Sequence, residues 1–231
     1  MLLVIEFRLR GVLRFLSHAE MLRVLQRACA RAGLDIQYSQ GFNPHPKTSL
    51  PLPRPVGIES DDELLTLRIH KGIPAQEQNS TIDADDLCTN DLCSFIKDKL
   101  SAQLPEGCEL LSVNIAPAGT TFQPCSASYV LAVRPEYLNE ALRARIERLL
   151  ASESINLRRQ TDEKNSKPKN VDVRDFLKSI KMVDRSIIVE CSISSEGSIR
   201  IEEILRLLEL DENKLALPIR RTNVQWLVDG T

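Results

Sequence analysis

No apolar run in this 231-residue sequence approaches the roughly 20 residues that a helix needs to cross a bilayer. A membrane protein of the helical kind is therefore not expected. Met1–Ile5 starts like a leader, but Glu6, Arg8 and Arg10 interrupt it at once. A first β-strand is the expectation for this segment, and the cytoplasm the expected compartment. None of the six cysteines forms a C-x-x-C pair, and the three histidines stand isolated. That pattern excludes a zinc ribbon or an iron–sulfur signature, so no metal and no other cofactor is expected. The cysteines are expected to be reduced and mostly buried. A glycine-rich phosphate loop is missing, as is a serine or cysteine nucleophile motif. No reaction can be read from the chain.

What is present fits a globular protein of one large or two small domains, 42% hydrophobic and 27% charged. The net charge of −2 hides an asymmetry. Residues 1–57 carry eight Arg and Lys against three acids, a net of +5, and residues 58–110 carry four against twelve, a net of −8. The basic segment can attract phosphate or an acidic partner, or the two segments neutralise each other in the folded state.

Strand and helix periodicities recur through the chain. Leu3, Ile5, Phe7 and Leu9 alternate with polar neighbours as a strand, which Gly11 breaks. Ser17, with Glu20 three residues on, opens a helix that runs to about Ala32, with Gly33 as its stop. Leu22, Leu25, Cys29 and Ala32 make its buried stripe; Arg23, Arg27 and Arg31 make a second stripe facing solvent. Short strands are expected over Leu34–Ser39 and Glu63–His70, with a brief pairing at Thr48–Leu52. A helix is expected over Asp83–Leu104, with Asp85 and Asp86 near its positive end, and a strand over Cys108–Ile115. Ala116–Ser126, with Pro117, Gly119 and Pro124, reads as a linker. The second half repeats the pattern. It has a strand at Tyr129–Arg134, a helix from Pro135 to Ala151 and a strand at Ile155–Gln160. A polar loop at Asp162–Asn170 follows, then a short strand and helical turn within Val171–Ile180. A strand at Arg185–Ile193, a helix ending at Leu210 and a last strand at Val224–Val228 complete it. The expected fold is α+β: two tandem ferredoxin-like (split β-α-β) domains, residues 1–117 and 118–231. The duplication is one of pattern, since no residue-level repeat links the halves.

The run Ser39-Gln40-Gly41-Phe42-Asn43-Pro44-His45-Pro46-Lys47 is the strongest candidate site. Gly41 allows a positive φ, and two prolines stiffen the backbone around His45. Phe42, Asn43, His45 and Lys47 then present a stacking face, an amide, an imidazole and a cation within six residues. Together with Ser17, His18, Arg23, Arg27 and Arg31 they form a candidate anion-binding cleft. A second candidate combines Lys169, Asp172 and Arg174 with Arg220-Arg221, either as an RNA-backbone contact or as an internal salt-bridge network. His18 and His45 are the sole acid–base candidates, and neither has a catalytic partner in sequence. Cys29 sits between Arg27 and Arg31 but on the apolar stripe, where packing is favoured over reactivity.

Three runs carry a resemblance: Phe15-Leu16-Ser17-His18, then Gln26-Arg27-Ala28 with Arg31-Ala32-Gly33-Leu34, then Tyr38 through Lys47. In these the chain resembles the bacterial radical-SAM-linked proteins, a domain of unknown function. That domain occurs beside, or fused to, a radical SAM protein with a cobalamin-binding-type region. Weaker matches lie at Gly57-Ile58-Glu59-Ser60, Lys169-x-Val171-Asp172-x-Arg174 and Arg221-Thr222. The chain departs at Ala19-Glu20, where the family carries leucine and aspartate. The resemblance implies association with a radical SAM protein, and RNA modification or processing as the setting. The chain lacks a C-x-x-x-C-x-x-C motif, so it is not itself the radical SAM enzyme. The expectation is an accessory binding module. The alternative is an enzyme on a phosphorylated or nucleotide substrate using His18 and His45.

Overall fold

The computed structural model describes residues 1–70, 89–159 and 169–230. The protein is a mixed α/β molecule with mostly antiparallel sheets and four α-helices among the described residues. It divides into two compact units, Met1–Gln123 with Leu227–Thr231, and Pro124–Trp226.

The first unit holds β1 (Leu2–Leu9), α1 (His18–Arg31), β2 (Thr48–Ser49), β3 (Glu59–Arg68), α2 (Thr89–Ser101) and β4 (Cys108–Ala116). β1 lies between β3 and β4 and is antiparallel to both; β2 pairs with the outer side of β3. Ile5 stands opposite Leu65 and Val113, and Leu3 opposite Leu67 and Ile115. This register gathers Leu3, Ile5, Phe7 and Leu9 with Leu65, Leu67 and Ile69 on one face. α1 covers that face with Met21, Leu25, Ala28 and Cys29, and α2 with Ile96 and Leu100. The alternate residues, Leu2, Val4, Thr66 and Arg68, face the other way.

α1 starts and stops as its sequence demands. Ser17 Oγ accepts from the Glu20 amide, the Ser17 amide donates to Glu20 Oε2 at 2.9 Å, and Gly33 follows the last turn. Leu22 is half-buried, and Met21 and Ala28 take core places beside Leu25 and Cys29. The turn before the helix, residues 11–16, is held by Arg54. This arginine is 8% exposed and donates to the carbonyls of Leu13, Arg14, Leu16, Pro55 and Ile58. Gly107 closes the same end. Its φ is +88°, and a Cβ there would lie 2.5 Å from the Arg10 carbonyl oxygen.

The second unit begins within β5 (Thr121–Ala132) and continues with α3 (Glu140–Ala151), β6 (Asn156–Arg159) and β7 (Lys169–Asp172). β8 (Leu177–Val183), β9 (Ser186–Ser194), β10 (Gly197–Ser198), α4 (Ile201–Leu208) and β11 (Arg220–Asp229) follow. β5 pairs with β9, β8 with the far side of β9, and β6 with β7 in a separate hairpin. Arg159 grips Glu203 with two hydrogen bonds of 2.7 Å and donates a third to the Ser198 carbonyl. Burial alone would raise the Glu203 carboxyl. The Arg159 hydrogen bonds and the Arg200 amide outweigh it and hold the group below the ordinary carboxylate range.

Several boundaries differ from the sequence reading. Leu34–Ser39 is not a strand; it makes isolated bridges, Ile36 to Ile69 and Tyr38 to Pro46, and Pro46 has no N–H with which to extend the second into a ladder. Residues 121–126, expected in a linker, belong to β5, and the unit boundary falls at Gln123–Pro124. Pro135 opens a short 3-10 turn, and α3 starts later, where Asn139 Oδ1 accepts from the Leu142 amide at 3.0 Å. α2 ends at Ser101; Asp83, Asp85 and Asp86 lie outside the described residues, as does residues 162–168 of the expected polar loop.

Replacing Arg54 by Met should cost about 3 kcal/mol or more in a urea melt, because a cluster of carbonyls loses its common donor. Glu203→Gln should cost about 2 kcal/mol near pH 7. The folded Glu203 titrates low, so its contribution is complete above the ordinary carboxylate value of about 4.3 and fades as pH falls through the depressed one. The gap between wild type and variant should therefore narrow in melts below about pH 4.

Candidate functional site

Of the eight basic residues in the first segment, most are spent on structure. Arg10 pairs with Asp61 at 2.7 Å, Arg8 with Glu109 at 3.3 Å and Arg14 with Glu59 at 3.9 Å. Thus much of the basic segment is neutralised by the acidic one. Arg31 donates to the side chain and carbonyl of Gln103 at 3.2 and 2.7 Å, tying the end of α1 to the residues after α2. Arg23 is exposed and holds down the Glu20 carboxyl from one turn away, after the hydrogen bonds from Ser17. Arg27 and Lys47 are exposed and in no ion pair among the described residues.

The start of α1 already holds an anion. The Glu20 carboxylate accepts from both the Ser17 hydroxyl, at 2.6 Å, and its amide. Ser17 and His18 are half-buried beside it. His45 lies at the opposite end of the unit. Its neighbours Gln37 and Lys47 bond to Arg68, which stands opposite Leu2, whereas Arg10, just after Leu9 at the other end of β1, bonds to Gly107. The 14-residue α1 between the two ends is about 20 Å long. His18 and His45 do not share a pocket.

The loop is built on a hydrogen-bonded neck. The Ser39 amide donates to the His45 carbonyl at 2.8 Å, and Ser39 Oγ accepts from the His45 amide at 2.9 Å. Below it, Gln37 donates to the Arg68 carbonyl, Arg68 to the Lys47 carbonyl and Lys47 to the Gln37 carbonyl, at 2.8, 2.9 and 2.7 Å. Gly41 takes φ +133° at the tip. Phe42 is fully exposed, and Asn43, His45 and Lys47 are exposed as well. The loop's functional groups are thus displayed rather than packed.

Sequence reasoning missed the cleft beside this neck. It occupies about 370 Å³ on the face of the first unit turned away from α1 and α2. Lys47, Thr48 and Ser49 line one side, Leu2, Thr66 and Arg68 the floor, and Thr120, Thr121 and Phe122 also line it, with Pro51. Of the nine residues grouped in the sequence reading of one cleft, it takes Lys47. The signal lay in Arg68, two residues along the strand from Thr66 and on the same face, but no local motif marks that pair.

The second candidate group is in the second unit. Asp172 accepts from the amides of Arg174 and Ile155 at 3.0 and 2.8 Å, and these bonds, with the Ser154 hydroxyl, hold its carboxyl low. Arg174 donates to the carbonyls of Leu150, Ser152 and Leu177, which caps the C-terminus of α3. Lys169 is exposed on β7, and Arg221 is 1% exposed in β11. Burial pushes the thiols of Cys29, Cys108 and Cys191 up to about 12, so Cys29 belongs to the core; Cys88 lies outside the described residues. No group of three or more His, Cys, Asp or Glu among the described residues is placed to hold a metal. No helix among them is long and apolar enough to cross a membrane.

A family described as an uncharacterized protein conserved in bacteria, DUF2344, matches residues 3–90 and 86–206. No curated protein matches. Among solved structures, the small subunit of acetolactate synthase from Thermotoga maritima is similar at 12% identity over 100% of this chain and 98% of that one, with a TM-score of 0.23. A likeness that slight says nothing about function.

Phe42→Ala and His45→Ala should each leave stability within about 0.5 kcal/mol, since both side chains stand in solvent. Ser39→Ala, which removes the neck's side-chain acceptor, should cost about 1 kcal/mol. Urea melts of the three variants check this ordering; a large loss from Phe42→Ala would mean that the ring packs in solution.

Proposed function

We propose that this chain, which belongs to the DUF2344 family of proteins conserved in bacteria, is a non-catalytic RNA-binding module that serves a radical SAM partner. The observation that carries this reading is the loop of residues 39–47. Its neck is fixed by backbone and Ser39 hydrogen bonds, its tip presents a bare aromatic ring, and Lys47 at its base is exposed and in no ion pair among the described residues. An exposed aromatic next to cations is the arrangement that stacks unpaired bases while contacting the phosphate backbone. Folding such a ring into solvent costs the chain apolar burial, and a ligand that covers it restores that burial.

The partner rests on the F-L-S-H and Y-S-Q-G-F-N-P-H-P-K runs, which resemble the radical-SAM-linked proteins. The setting, RNA modification or processing, rests on the same resemblance. The order of strands supports the finer fold reading. In the first unit β4, β1, β3 and β2 lie side by side, and in the second β11, β5, β9 and β8 do. We read both as split β-α-β units of the ferredoxin-like kind. The enzyme alternative needs His18 and His45 on one substrate, and their positions at opposite ends of α1 speak against it.

Binding to a short unstructured RNA should be measurable by filter retention at low salt and fall steeply as salt rises. Phe42→Ala and Lys47→Gln should each weaken it several-fold, by about 1 kcal/mol for a lost stack or phosphate contact. Absence of any RNA retention at low salt would sink the reading. Co-purification with the native radical SAM protein tests the partnership separately.

A further inference from the structure

We infer that the cleft beside the loop neck is a nucleotide site, which takes a phosphate ester carrying a flat heteroaromatic base. The inference deepens the RNA reading of the same end of the first unit. The ten lining residues include two cations, Lys47 and Arg68, and no acid. Neither cation is in an ion pair among the described residues. A metal ion or an amine would find no carboxylate in this lining, whereas a phosphate would find both cations. Ser49 and Thr66, opposite each other in β2 and β3 on the same face as Arg68, bring hydroxyl-bearing side chains to the lining, to which Thr120 and Thr121 also belong. The Thr48 hydroxyl accepts from Gln26 Nε2 of α1 at 2.7 Å, so it serves the helix-covered face of the sheet rather than the cleft. Thr120 is 7% exposed, and its Oγ1 has no hydrogen-bond partner among the described residues. That oxygen is shut off from the cleft and lies against Gly230, so Thr120 contributes wall rather than a ligand contact.

The apolar part of the lining fits the rest of a nucleotide. Phe122 is half-buried and offers a ring against which a base can stack, with Leu2 and Pro51 as further apolar wall. A volume of about 370 Å³ lies in the range of small-molecule sites and suits one nucleotide rather than a longer segment. The positions of Lys47 and Arg68 are fixed by backbone bonds between them and Gln37, so the two charges are held in place before a ligand arrives.

Isothermal titration of the full chain with adenosine monophosphate, adenosine and inorganic phosphate tests the site, and a short single-stranded RNA forms a further arm. The monophosphate should bind, with adenosine and phosphate each at least about tenfold weaker. Arg68→Gln should weaken the monophosphate by about tenfold with the melting temperature kept. Lys47→Gln, at an exposed side chain, should weaken it less and carries the test if Arg68→Gln does not fold. Adenosine binding as tightly as its monophosphate, no heat with the monophosphate, or wild-type affinity in the variants overturns the inference. RNA binding with no monophosphate binding removes the cleft and leaves the RNA module standing. Monophosphate binding with no RNA binding keeps the cleft and removes the RNA reading.

Discussion

Three backbone hydrogen bonds, closed into a ring by Gln37, Lys47 and Arg68, are the constraint on which the site depends. They join three pieces of chain that would otherwise be independent: the segment after α1, the return of the loop and the end of β3. Because the bonds are made by the backbone, they fix where the side chains of Lys47 and Arg68 start without consuming either charge. They also close the base of the loop, so that Ser39 and His45 meet above them and the tip is carried on a firm stem. A loop of this composition tethered at one point would sample many conformations, and ordering it on a ligand would cost accordingly.

The two ends of the first unit are built on opposite terms. At the Ser17 end nearly every polar group is answered from within the chain. Glu20 fills the helix start, Arg54 collects carbonyls, and Arg10 and Arg14 meet Asp61 and Glu59. At the His45 end the backbone is satisfied while Phe42, Asn43, His45 and Lys47 stand in solvent and Arg68 lines a cleft. The second unit resembles the first end. Arg159 with Glu203, and Arg174 with the end of α3, turn its conspicuous charges inward. Sites form where satisfied backbone presents unsatisfied side chains, and that condition is met at the His45 end.

What the sequence made legible was local. The capping box, the Gly33 stop and the apolar stripe of α1 follow from spacing alone, and they fix the helix to within a residue. The display of Phe42 was legible as well, because prolines flanking His45 suit presentation better than packing. Arg54 was hidden, since nothing in Pro53-Arg54-Pro55 tells a surface arginine from one that gathers five carbonyls, those of Leu13, Arg14 and Leu16 far away in the chain. The cleft was hidden for the same reason. Thr66 and Arg68 meet Lys47 and Thr120 through strand register and a turn, both long-range. The role of Arg174 was obscured by its company, because a cation beside Asp172 reads as an ion pair, while the guanidinium in fact serves α3. The early part of β5 was masked by Pro117, Gly119 and Pro124, which mark a break in a single sequence.

On the proposed function, recognition is concentrated at the His45 end of the first unit. Ultraviolet crosslinking of the full chain to a short single-stranded RNA, read by peptide mass spectrometry, tests this most directly. Crosslinks should fall on peptides that contain Phe42 and Phe122. Crosslinks confined to the Ser17 end, or to the second unit around Lys169 and Arg174, would contradict it.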